Sequence, residues 1–344
     1  AWRLPFKLAL KGRGTVSIDF HPMVRVSELA ATYKETKDKT FVLAGASEAQ
    51  LDAFSSWMAQ RVQAGIDARA RLAPHALVAS ALLSEKKPRL TRAQLEQRVR
   101  DYQTLVADQT PQTEKTKPRS TLDQALAYLV KKNLVRQDEQ GGEARYTVEP
   151  AARPYLEFYR NNAAPTLAPH ALVAATILRA AKQHQTFEAR QLIGGFDTLR
   201  GLFKKEFILD PSVDSKGYVN RVLAVLAQNG LVRQKDKAYR VNDKQQLERL
   251  AAFVEPFHQA YEVMLEQTER SPPEKPAELK HDRERFKDYL ARLLIDARRP
   301  GLQRLPGGVA YYNALKLYLE QDVLTDGRAR QDMAEMLRRT RLAP

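Results

Sequence analysis

Cysteine is missing altogether from this 344-residue chain. That removes disulfides, thiol nucleophiles and thiolate metal sites together, leaving histidine, carboxylate and hydroxyl chemistry to be searched. Also lacking is an apolar run long enough to span a bilayer. The longest uncharged stretch, 161–178, opens on two asparagines and is interrupted by Pro165, Pro169 and His170. The opening residues, Ala1-Trp-Arg-Leu-Pro-Phe-Lys7, do not have the pattern of a secretory signal, because proline and charges break the apolar residues. A chain that starts without Met inside an amphipathic segment reads as a piece of a longer protein. No phosphate-cradling loop is present either: Gly194-Gly195 and Gly307-Gly308 lack a following Lys-Ser/Thr and are expected to break helices. The six histidines are scattered, and none is followed five positions on by Asp; those positions hold Val26, Ser80, Ala175, Ala189, Val263 and Phe286. No catalytic residue, metal ligand or cofactor site is therefore expected in this chain.

What is present is charge of one sign and a repeated pattern. A net charge of +15 and a pI near 9.8 point to an anionic partner: nucleic acid, a lipid surface or an acidic protein. The stretch Leu72-Ala-Pro-His-Ala-Leu-Val-Ala-Ser80 returns as Leu167-Ala-Pro-His-Ala-Leu-Val-Ala-Ala175, 95 positions later. Thr91 matches Thr186 at the same offset, Leu134-Val-Arg-Gln137 recurs as Leu231-Val-Arg-Gln234 at 97, and Tyr146-Thr-Val148 as Tyr239-Arg-Val241 at 93. Small drifts between matching elements are the mark of a diverged duplication.

Each copy reads as three helices and a short hairpin, the order of a winged helix. In the first, a helix over about 75–83 opens with His75 just after proline, as His170 does in the second, and Thr91 with Gln94 has capping-box spacing. The third helix runs from Ser120, with Leu122, Ala125, Leu126, Leu129, Val130 and Leu134 on one face; the second copy shows Val219, Val222, Leu223, Leu226, Ala227 and Leu231. A polar loop at 110–119 divides helices two and three of the first copy. Helices at 153–162 and 247–264 close the copies and carry Tyr155, Phe158, Tyr159, Phe253, Phe257 and Tyr261.

Outside the copies, Val16, Ile18 and Phe20 alternate as a strand, with 40–43 as its candidate partner, and 46–71 reads as a helix with Leu51, Phe54, Met58 and Val62 on its buried stripe. A proline-stiffened linker at 271–276 leads to a helix over 279–296 and then to 314–324, which resembles 125–135 and suggests a third, degraded copy. The fold class is therefore mainly α: tandem winged-helix-like helical modules preceded by one strand, which pairs with 40–43 or with strands this sequence does not contain. The expected divisions are 1–45, a connecting helix 46–71, modules at 72–160 and 161–270, and a C-terminal helical part 271–344.

Winged helices often read DNA with helix three, but its outward positions here are poor in cations. They are Asp123, Gln124, Ala127, Tyr128, Lys131 and Lys132 in the first copy, and Asn220, Arg221, Ala224, Val225, Gln228 and Asn229 in the second. This disfavours nucleic acid as the partner and leaves a basic tandem winged-helix protein, binding nucleic acid or bridging proteins, as the alternative.

Pro74-His-Ala-Leu-Val-Ala79, its second copy ending at Ala174, and Phe158-Tyr-Arg-Asn-Asn162 resemble the C-terminal region of glycerol-3-phosphate acyltransferases, from about Gly14 to Leu324. The resemblance implies the end of the α/β acyltransferase domain, with the single strand as a remnant strand of that domain, followed by the helical C-terminal region. The parent activity it implies is acyl transfer from acyl-CoA or acyl carrier protein to the 1-hydroxyl of glycerol 3-phosphate, the first step of phospholipid synthesis. It places the catalytic His and Asp before Ala1, so the acyl donor would be met only through the catalytic domain. His75, Tyr159, Arg160, Asn161 and Asn162 are the motif residues it singles out. The partners implied are the N-terminal acyltransferase domain and the cytoplasmic face of an anionic membrane, held peripherally, with Trp2, Arg3, Phe6, Lys7 and Lys11 as the docking segment.

If that segment meets lipid, changing Trp2 and Phe6 to Ser should weaken co-sedimentation with anionic vesicles roughly tenfold. Any weak, steeply salt-dependent DNA retention should be unchanged. Equal pelleting of both proteins would reduce the segment to a packing element.

Overall fold

The computed structural model describes residues 23–67, 72–84, 89–106, 118–296 and 308–341. The expected strand at 15–20, the docking residues Trp2, Arg3, Phe6, Lys7 and Lys11, and the loop at 110–117 lie outside them. The chain divides into two compact units, 1–71 and 72–344.

In the first unit, α1 (Val26–Thr36) and α2 (Glu48–Asp67) close on an aromatic cluster of Tyr33, Phe41, Phe54 and Trp57. Tyr33 meets Phe41 and Trp57 edge-on at centroid distances of 4.9 and 5.4 Å, the arrangement that ring quadrupoles prefer. Residues 40–43 are not the expected strand. The Phe41 amide donates to the Asp38 carbonyl in a turn, and Phe41 goes inward while Val42 and Leu43 stay exposed. The buried stripe of α2 is Phe54 and Trp57; Leu51 and Val62, expected inside, are exposed. The four rings fill the interface, and Leu51 and Val62 lie outside the cluster they form.

The second unit opens with α3 (Pro74–Leu83), β1 (Arg89–Thr91), α4 (Arg92–Val106), α5 (Pro118–Lys131), the hairpin β2 (Val135–Gln140) and β3 (Glu143–Val148), and α6 (Arg153–Asn161). It continues with α7 (Ala164–Gln183), β4 (Phe187–Glu188), α8 (Ala189–Leu202), α9 (Ser215–Gln228), the hairpin β5 (Val232–Lys235) and β6 (Ala238–Val241), and α10 (Lys244–Ala251). Both sheets are antiparallel, ordered β1-β3-β2 and β4-β6-β5. Their registers correspond: Leu90, Tyr146 and Gln137 lie across the first sheet as Phe187, Tyr239 and Gln234 lie across the second. Thr91 and Gln94 bond each other's backbone amides at the start of α4, and Glu188 with Gln191 does the same for α8. The cap of α8 is thus Glu188 and not Thr186.

Helices α5 and α9 end alike. Asn133 and Gly230 take positive φ (53° and 73°), and the next residue's amide reaches back five positions, Leu134 to Leu129 and Leu231 to Leu226. This left-handed stop satisfies carbonyls that the helix end would orphan. The stripes Leu122, Ala125, Leu126, Leu129 and Val219, Val222, Leu223, Leu226 are buried as expected, but Val225, expected outward, is buried too.

Several expected boundaries move for identifiable reasons. Helix α7 starts at Ala164, so His170 lies inside it and not at its start; Pro165 sits in its first turn, where a missing amide costs nothing. The helix expected over 247–264 is two, α10 and α11 (Glu255–Arg270), because Pro256 opens α11. That expected over 279–296 is also two, α12 (Pro276–His281) and α13 (Arg283–Asp296), with the Asp282 carboxylate accepting from the Glu284 and Arg285 amides. Helix α14 (Gly308–Glu320) ends in the same left-handed stop, Asp322 at φ 56°, as 125–135 does, but α15 (Gly327–Thr340) follows it where a hairpin would stand.

Gly194-Gly195 does not break α8. A Cβ on Gly195 would lie 2.7 Å from Thr176 Cγ2 of α7, so this glycine is a point of close helix approach; Gly194 has open space. Opposite signs follow for neighbouring substitutions. Gly194→Ala should stabilise by up to about 1 kcal/mol through helix propensity. Gly195→Ala should lose that gain to an overpacking cost of about 1–3 kcal/mol. Adding Thr176→Ser, which deletes only Cγ2 and keeps the hydroxyl bond to Leu172 O, should restore the gain. Urea unfolding of the three variants checks this; like signs for both alanines would refute the contact.

Candidate functional site

Helix α6 reads Arg153-Pro-Tyr-Leu-Glu-Phe-Tyr-Arg-Asn161. At 3.6 residues per turn Arg153, Leu156, Glu157 and Arg160 share one face and Tyr155, Phe158 and Asn162 lie on the other. Ordinary amphipathic packing would bury the aromatics; here the charged face is inside. Arg160 is 1% exposed, Glu157 is buried, and Tyr155 and Phe158 are 64% and 67% exposed.

Burying these charges requires partners, because an isolated ion in a low-dielectric interior is costly. Arg153 Nε donates to Glu157 Oε1 at 3.1 Å. The Arg160 guanidinium lies 4.9 Å from the Phe257 ring and 5.7 Å from the Phe253 ring, a cation held on two aromatic faces. Burial lowers its pKa to about 10, which leaves it charged at neutral pH. Glu206, just after α8, is pushed up to about 7, first by burial and against the bonds from Asn313 and Tyr261 and the field of Arg160. Asn313 Nδ2 of α14 reaches both Glu206 Oε2 and Lys205 O at 3.1 Å. The Tyr318 hydroxyl donates to the Tyr261 carbonyl and ties α14 to α11. The inner face of α6 is thus part of one polar junction joining α6, the end of α8, α11 and α14.

The motif residues point in different directions. Tyr159 leaves the charged face: its ring meets His75 edge-on at 4.8 Å, and its hydroxyl is 3.1 Å from that of Tyr128. His75 is half-buried there, which lowers its pKa by desolvation. Arg160 enters the core, while Asn161 and Asn162 are exposed. An open cleft of about 440 Å³ lies beside Tyr159, lined among others by Tyr128, Lys132, Glu149 and Tyr155. Glu206, Asn313 and the outward turn of Tyr155 and Phe158 were not foreseen; the spacing of Arg153, Glu157 and Arg160 was the available signal.

Two histidines are buried in packing contacts. His170 is fully buried with Nδ1 3.1 Å from Thr166 O, and burial lowers its pKa to about 4. His258 Nε2 meets Leu337 O at 2.9 Å and Thr340 Oγ1 at 3.0 Å, holding α15 against α11. Among the described residues no group of three His, Asp or Glu side chains could hold a metal ion, and no helix is long and apolar enough to cross a membrane.

The family model of the glycerol-3-phosphate acyltransferase C-terminal region matches residues 6–298. The chain belongs to this family. A glycerol-3-phosphate acyltransferase of Alteromonas mediterranea is 30% identical over 183 residues, 52% of this chain and 22% of that protein. The chain therefore spans about a fifth of the length of the curated relative it matches. The family match takes in the whole inverted helix and its junction as far as α13, and stops short of Asn313 and Tyr318.

The Glu206 shift has a sign that can be measured. Its pKa is raised on folding from 4.5 to about 7, so the folded state holds the proton more tightly and stability falls as pH rises through that window. Glu206→Gln should remove this fall, gaining up to about 3 kcal/mol on wild type between pH 4.5 and pH 8. His170 works the other way, lowered from 6.5 to about 4 and so destabilising as pH drops, but it is common to both proteins and cancels in the comparison. Parallel stability curves for the two proteins would show that Glu206 is ionised and paired.

Proposed function

We propose that this chain is the non-catalytic C-terminal part of a glycerol-3-phosphate 1-O-acyltransferase, acting in phospholipid synthesis by supporting the catalytic domain at an anionic membrane surface. The observation that carries it is the family match over 6–298 in a chain where no histidine stands five positions before an aspartate. Acyl transfer to a hydroxyl needs a positioned base open to substrate. His170 and His258 are buried in packing roles and His75 sits among tyrosines. The two copies, each with helix, strand, two helices and hairpin in matching register, are read as winged-helix-like modules used for docking and not for readout. The acyl donor, acyl-CoA or acyl carrier protein, would be met through the catalytic domain alone.

One observation favours the second reading, a basic winged-helix protein that binds nucleic acid. Arg233 and Arg240 stand directly opposite each other on the second hairpin, with Lys235 and Lys237 exposed beside them. Like charges across a ladder cost stability unless an anion offsets them. The first hairpin is instead balanced, with Asp138 opposite Arg145 and Arg136 paired to Asp138.

Purified chain should give no glycerol-3-phosphate acylation, and His75→Ala and His170→Ala should change nothing in that assay. Turnover abolished by either substitution would place chemistry here. Specific DNA retention at physiological salt, lost in Arg233→Gln/Arg240→Gln, would instead favour the second reading.

A further inference from the structure

The outward face of α6 answers no need of the fold. Pro154, Tyr155, Phe158 and Asn161 are exposed, and every charged residue of the helix is turned inward or half-buried, in a chain that is 28% charged. A solvated helix surface would carry the reverse pattern. Two large rings standing more than 60% free on one side, three positions apart, are an exposed apolar patch of the kind that marks an interaction site. The patch is extended by Tyr159, whose ring meets Phe158 at 5.9 Å, and by the open cleft beside it.

One exposed cation stands at the cleft wall in a chain of net charge +15: Lys132, 6.0 Å from the Tyr128 ring. The cleft's acidic residue, Glu149, is 3.4 Å from Arg136. Size then separates the possible occupants. Two aromatic side chains expose roughly 300 Å² between them, against about 800 Å² per partner for a specific protein interface. A lipid surface needs less: a few amphipathic rings at headgroup depth suffice when basic residues supply the long-range attraction.

We propose that the outer face of α6, with Tyr155 and Phe158 as anchors and Lys132 beside them, docks shallowly on an anionic lipid surface. This rests on the membrane-support reading above and names the surface that would carry it. The inward burial of Arg153, Glu157 and Arg160 gives the face its character: it removes charge from the helix surface and sets the Arg160 guanidinium against the Phe257 ring of α11, so the anchors project from a packed helix.

The test is co-sedimentation of the 344-residue chain with vesicles of phosphatidylethanolamine and phosphatidylglycerol, against pure phosphatidylcholine. Wild type should pellet with the anionic vesicles only, and Tyr155→Ser/Phe158→Ser should lower its partition coefficient roughly tenfold at the same salt. The exposure of both rings leaves the thermal melt nearly unchanged. A second measurement is independent of that loss: Phe158→Trp, in a Trp2→Phe background that keeps buried Trp57, should be quenched by brominated lipid beyond the quenching of Trp2→Phe alone. Pelleting indifferent to the double variant, with Phe158→Trp unquenched, would overturn this surface and leave the membrane reading standing. No pelleting of wild type would overturn both. Self-association lost in the double variant, with no lipid binding, would make the face a protein contact and overturn the lipid assignment.

Discussion

The buried guanidinium of Arg160 is the constraint around which the second unit is arranged. A cation cannot be taken from water into a core without compensation worth several kcal/mol. Phe253 and Phe257 offer ring faces, and the carboxylates of Glu157 on the same helix and of Glu206 after α8 favour the cation, with Arg153 acting against it as a like charge. None of these groups is adjacent in sequence to Arg160 except those on its own helix. The junction therefore specifies the packing of distant segments in a way that leucines, which fit many neighbours, would not. Whether it also adds net stability is a different matter, since replacing buried ionic groups by well-packed apolar ones is often neutral or stabilising.

That constraint also explains which parts of the fold were legible in the residues. The stripes of α5 and α9 were readable because Leu122 to Leu129 and Val219 to Leu226 follow the ordinary rule that the apolar face goes inward. Thr91 with Gln94 was readable because a capping box is local chemistry, complete within four residues. Helix α6 was readable as a helix but not in its orientation. Its periodicity separates two faces without saying which is buried, and the answer depends on Phe257 and Glu206, about 100 and 50 positions downstream. Gly195 was misread for a related reason: glycine signals either a break or a close approach, and Thr176 of another helix decides between them. The break before α11 was missed although Pro256 announces it, because the apolar periodicity runs on through Phe253 and Phe257.

The two hairpins show how a shared backbone can carry different surfaces. Register is held by Tyr146 and Tyr239, each bridging two strands, so the cross-strand positions are free to change charge without moving the ladder. Arg233 opposite Arg240 in the second hairpin corresponds to Arg136 opposite Thr147 in the first, and Asp138 opposite Arg145 in the first corresponds to Lys235 opposite Ala238 in the second. Likeness of fold between the copies thus says little about likeness of role.

A division of labour along the chain follows from the same logic. Arg160, Glu206 and His258 lie in contacts between helices, while His170 bonds the Thr166 carbonyl of its own helix. Residues that face water with something to offer are instead the aromatics of α6 and the cations of the second hairpin. The buried junction and the exposed rings thus lie on opposite sides of α6. A substitution at Arg160 would therefore act on the packing of these helices, and one at Phe158 on the exposed face alone. The two residues lie within one turn of the same helix and yet belong to different links between structure and function.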